Sequence, residues 1–89
     1  MSNQMISIER QVELIKNNYD AENRAYEEVP HFNGPLDGID APIPLLDGLL
    51  PDGQQYQFSL DGKLSRNHIY QKSQVGHRTG YLFIGTIDP

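Results

Sequence analysis

His31, His68 and His77 are the side chains best suited to hold a metal, and their spacing does not assemble a site. A helical zinc site needs a pair such as H-E-x-x-H, which puts two imidazoles on one face, whereas these three lie in separate segments. The chain has no cysteine, which removes thiolate nucleophiles, disulfides and thiolate-bound metals. Neither a metal nor a cofactor is expected. Ser59, Ser65 and Ser73 lie in no G-x-S-x-G elbow and have no base nearby in sequence, so the chain reads as a non-enzyme.

Two further patterns carry polar chemistry. Asp-Gly occurs four times, at Asp37-Gly38, Asp47-Gly48, Asp52-Gly53 and Asp61-Gly62. An EF-hand would need oxygen ligands at alternate positions before its glycine and a glutamate after it, and none of these steps supplies them. They read instead as turns, in which glycine takes positive φ freely and aspartate accepts from nearby backbone N–H groups. Gly76-His77-Arg78-Thr79-Gly80 could cradle an anion, with Arg78 as a forked donor and Thr79 as a hydroxyl donor; it is equally a plain hairpin loop. Together with Arg66, His68 and Tyr70, the residues His77, Arg78 and Thr79 define the alternative reading, a small-ligand or nucleotide binder using a basic C-terminal sheet.

The elements that must position these residues follow from periodicity. Ser7 is a candidate N-cap, Glu9 falls in the first turn, and Ile8, Val12, Ile15 and Tyr19 recur on one helical face, widened by Leu14. The helix either runs to about Glu28 or breaks near Asn18 with Asp20 as a new N-cap, and it must stop before Pro30. Residues 30–53 read as a long loop rich in proline, glycine and aspartate. Its aliphatics are too numerous to stay solvated. Either the loop completes a thin core, or Ile43-Pro44-Leu45-Leu46 and Leu49-Leu50 form an apolar patch for a partner.

Residues 54–89 read as antiparallel strands. Tyr56, Phe58 and Leu60 alternate with Gln55, Gln57 and Ser59, and Asp61-Gly62 turns the chain into a strand over about Leu64–Lys72. A three-residue Asp61-Gly62-Lys63 turn pairs Leu60 with Leu64 and sets Arg66 and His68 beside Phe58 and Tyr56. The last strand, Gly80–Ile87, is nearly continuous in apolar residues, so it reads as central and covered on both faces, with Gly85 marking a bulge or close contact. The expected fold is α+β: a single small domain with one N-terminal helix over 1–29, the 30–53 loop as a clasp, and a three-stranded antiparallel sheet over 54–89.

Charge is divided along the chain. From Met1 to Gly53 ten acids face three bases, a net −7, while from Gln54 to Pro89 four bases face two acids, a net +2. The acidic front repels nucleic acid and attracts a basic protein surface, and Glu13, Glu22 and Glu27 are its candidate contacts beside Ile43, Leu45, Leu46 and Leu49. No segment approaches the ~18 apolar residues of a membrane span, and Met1–Ile8 lacks the features of a secretory signal, so a cytoplasmic protein is expected. The leading expectation is a small acidic protein-binding module of the inhibitor or adaptor type, such as phages encode. A structural subunit of a larger assembly, with homo-oligomers, is the other alternative.

Overall fold

The protein is described from a computed structural model covering residues 7–58 and 65–88. Helix α1 (Ile8–Ala21) starts as the sequence leads one to expect: Ser7 is extended, and its side chain accepts from the Arg10 amide at 3.1 Å. It ends at Ala21, short of Glu28 and past Asn18. Asn23 takes φ +56°, and the Arg24 and Asn23 amides bond back to Tyr19 O (2.8 Å) and Asp20 O (3.2 Å). These two bonds are the Schellman pair, with asparagine in the place more often held by glycine. Leu14, assigned to the apolar stripe, is 42% exposed, whereas Val12 is buried.

The sheet corrects the expected architecture. It has five strands in the order β2-β1-β5-β4-β3, and it is mixed rather than three-stranded and antiparallel. Strand β1 (Tyr26–Phe32) occupies what was read as helix end and loop, and β2 (Asp40–Pro44) occupies the loop itself. These two pair antiparallel, and β1 then runs parallel to β5 (Arg78–Ile87) through His31↔Tyr81 and Phe32↔Leu82. Strand β4 (Arg66–Val75) pairs antiparallel with β5 and with β3 (Gly53–Phe58).

Proline placement explains how β1 and β2 escape a sequence reading. The His31 amide bonds Ile39 O at 3.1 Å, so alternate residues of β1 face β2 and the intervening Pro30 points its missing N–H away from that ladder. Pro42 and Pro44 recur at period two on an edge strand, where lost donors cost little and block further pairing.

The β3–β4 register sets Phe58 against Arg66 and Tyr56 against His68, as the three-residue turn requires. That turn, with Asp61-Gly62, Leu60 and Leu64, lies outside the described residues. In β5 a bulge leaves Ile84 extra between the Tyr70↔Phe83 and Ile69↔Gly85 pairs, at the place Gly85 suggested. Strand β5 is central, but it is not covered on both faces: Tyr81 is fully buried while Ile84 is 55% exposed.

The core is lined by Val29, Ala41, Ile43, Tyr56, Phe58, Tyr70 and Tyr81, with Leu36 beneath. The sheet is curled enough that the hydroxyl of Tyr56 on edge strand β3 lies 3.2 Å from Pro42 O on the opposite edge strand β2. Helix α1 packs on β2, and Tyr19 lies near Gln54 at the start of β3, so the helix reaches toward both edges.

Candidate functional site

Between β2 and β3 the chain makes a tight hairpin whose tip is Leu46-Asp47-Gly48-Leu49. Asp47 (φ +53°) and Gly48 (φ +79°) both take positive φ, the requirement of a type I′ turn, and Leu46 and Leu49 exchange backbone bonds of 2.9 and 3.0 Å. Residues paired across such a turn project to one side. The two leucines therefore stand together, and they are 58% and 71% exposed.

The hairpin is held at both ends. The Leu45 amide donates to Ala25 O at 3.0 Å, and beyond the tip Tyr81 donates its hydroxyl to Pro51 O at 2.5 Å. Lys72 adds two bonds, its amide to Asp52 O at 2.7 Å and its ammonium to Leu50 O at 3.3 Å. Leu45 and Leu50 are half-buried, and Leu50 packs on the core. Asp47 lies in the turn, Asp52 beyond it is paired with the Lys72 ammonium at 3.7 Å, and the Tyr81 hydroxyl, bonded to Pro51 O, feels both Asp52 and Glu27. Burial first, then these two carboxylates, push Tyr81 up to about 12.

The other acidic candidates are not gathered here. Glu13 pairs with Arg10 and lines a shallow groove of about 230 Å³ with Glu9, Glu28 and Asp40, while Glu22 is the exposed C-cap of α1. Glu13, Glu22 and Glu27 thus form no single patch. Ile43 is fully buried on β2, which removes it from the set of surface contacts, because the strand continues to Pro44 and only then lifts off the core.

The ligand reading fares differently residue by residue. Tyr70 is fully buried, donating to Asn33 O at 2.7 Å and accepting from the Leu36 amide at 2.9 Å. His68 is 4% exposed between Phe58 and Phe83, its Nδ1 3.1 Å from Thr86 Oγ1. Neither presents an accessible group, because both fall on the row that faces the core. Arg66 is exposed and paired with Asp88 at 2.8 Å. Gly76 and His77 form a two-residue turn, and Arg78–Gly80 already belong to β5, so no anion-cradling loop exists. Thr79 donates to Gln74 Oε1 at 3.1 Å and lines an open pocket of about 380 Å³ with Leu50, Lys72, Ser73 and Gln74. Among the described residues, no group of three or more histidine, aspartate or glutamate side chains could hold a metal.

Sequence reasoning missed the anchors Tyr81 and Lys72. Both stand about twenty residues or more from the segment they hold, and no local pattern reports a bond across that separation. Compared with known protein families, curated proteins and solved structures, the chain matches none of them. No helix among the described residues is long and apolar enough to cross a membrane.

Proposed function

We propose that this protein is a non-enzymatic binding module that occupies the surface of a partner protein through Leu46 and Leu49. The carrying observation is that two large aliphatic side chains stand exposed side by side on a turn pinned at both ends. A rigid anchor loses little conformational entropy on binding, so its apolar area converts efficiently into affinity. Asp47 and Glu27 favour a partner whose apolar cleft is rimmed by basic groups, which they would steer into place.

The test is capture of partners by the full chain and by Leu46→Ser/Leu49→Ser, followed by affinity measurement with the captured protein. Exposed residues of this kind leave folding within about 0.5 kcal/mol, so the variant should melt as the parent does and bind at least about tenfold more weakly. Unchanged affinity in a normally folded variant would overturn the reading.

The pocket beside Leu50 supports a second reading, a small polar ligand held by Lys72, Gln74 and Thr79. A thermal-shift screen with nucleotides and small anions separates the two, since only a ligand that prefers the folded state raises the melting temperature.

A further inference from the structure

Alternation along β3, β4 and β5 sorts their side chains into two rows. The inner row contains Tyr56, Phe58, His68, Tyr70 and Tyr81, and because Arg66 pairs with Phe58 and Lys72 with Tyr81, both cations belong to it. Asp88 joins Arg66 there. The outer row is different. It holds Ile69, Leu82 and Ile87, with the bulged Ile84 beside them, and around these the amides Gln55, Gln57, Asn67 and Gln71. Ile84 and Ile87 are 55% and 57% exposed. Among the described residues the one charge on this row is Arg78, at the far end beside the β4–β5 turn.

A chain with 19 charged residues and a net charge of −5 therefore leaves three adjacent strands almost without charge on one side. Helix α1 packs on β2 and sets Val12 into the core cluster with the inner-row tyrosines, so among the described residues it does not cover this side. Its apolar centre is unlike the scattered single aliphatics of an ordinary surface.

We infer that this outer face of β3, β4 and β5 is where a second copy of the same chain packs, centred on Ile69, Leu82, Ile84 and Ile87. Charge decides among the occupants. A nucleic acid or an anionic lipid surface needs a field of cations, and a basic protein needs carboxylates; the face has neither. A two-fold contact sets one surface against itself, so it requires groups that complement their own kind. Aliphatics do, and so do amides, which both donate and accept. Two molecules of net charge −5 can meet on this face with their carboxylates held away from the contact.

The inference does not rest on the leucine hairpin. Light scattering and sedimentation of the full chain over a concentration series should show a dimer. Ile84→Lys and, separately, Ile87→Lys put a charge into a contact that has none, and each should raise the dimer dissociation constant by at least about tenfold. Both positions are already solvent-facing, so circular dichroism and melting should stay at the parent values. Raising salt from about 0.05 M to about 0.5 M should tighten the dimer, since it screens only the repulsion between like-charged molecules. Leu46→Ser/Leu49→Ser should leave the dimer intact. A monomer throughout the series would overturn the inference, as would a dimer that survives both lysines or one that salt dissociates.

Discussion

His31 has the chemistry of a catalytic base and the surroundings of a core residue. It is fully buried, with Nδ1 2.7 Å from Val29 O and Nε2 3.0 Å from the Tyr56 hydroxyl, and its ring stacks on Tyr81. A carbonyl only accepts, so Nδ1 carries the proton and Nε2 is the acceptor of a neutral imidazole. The Tyr56 hydroxyl has one proton for two acceptors, His31 Nε2 and Pro42 O at 3.2 Å. Burial holds His31 below the usual histidine range, outweighing its bond to Val29 and the field of Asp40. His68 is lowered too, by burial and then Arg66, and its Nε2 has no hydrogen-bond partner among the described residues. The unfolded chain therefore takes up protons below pH ~6.5 that the folded chain refuses, so stability is full above that pH and falls as pH drops through the window beneath it. Each such histidine adds to that slope, up to a ceiling of about 1.4 kcal/mol per pH unit. Urea unfolding at intervals between pH 7.5 and 5 measures it; a flat profile would mean that both rings accept protons in the fold.

At the scale of the element, identical dipeptides do different work. Asp47-Gly48 makes a type I′ hairpin, Asp37-Gly38 a turn closed by the Ile39 amide on Leu36 O at 2.9 Å, and Asp52-Gly53 simply enters β3. Gly48 needs its left-handed φ of +79°, whereas Gly53 has none and meets only Tyr70 O at 3.6 Å from an added Cβ. Gly48→Val should therefore cost more than about 1 kcal/mol and loosen the leucine tip, while Gly53→Ala should stay within about 0.5 kcal/mol. Thermal melts of the two variants make the comparison. Equal losses would mean that the turn at Gly48 is not the one described.

At the scale of the molecule, one narrow seam joins the two parts of the sheet. In the backbone ladder the β1–β2 hairpin pairs with the three C-terminal strands through two residue pairs, His31↔Tyr81 and Phe32↔Leu82. Next to them the Phe32 ring lies over Gly80, where an added Cβ would come within 2.3 Å of the ring and 3.0 Å of Pro30 O. The ring cannot move far without uncovering the seam. Gly80→Ala should cost on the order of 1–3 kcal/mol by overpacking, and it should speed hydrogen exchange at the β1–β5 contact more than within β3 and β4. Equal acceleration in all strands would show that the seam is no weaker than the rest.

The helix start at Ser7, the existence of the three C-terminal strands but not their ends, and the β3–β4 register were legible in the chain, because caps and period-two alternation act between residues a few positions apart. Strands β1 and β2 were not, because proline reads locally as a breaker, and only the neighbouring strands show that Pro30, Pro42 and Pro44 sit where no ladder bond is asked of them. The same limit governs the candidate sites. Ile43 and Leu46 are similar aliphatics three residues apart, yet one is fully buried and the other 58% exposed. Composition alone determined that this segment must find apolar cover. Which of its residues are covered, and that Tyr70 and His68 turn inward while Ile84 and Ile87 face out, was decided by strands arriving from distant parts of the chain, since burial depends on what packs opposite a side chain and not on the residues beside it.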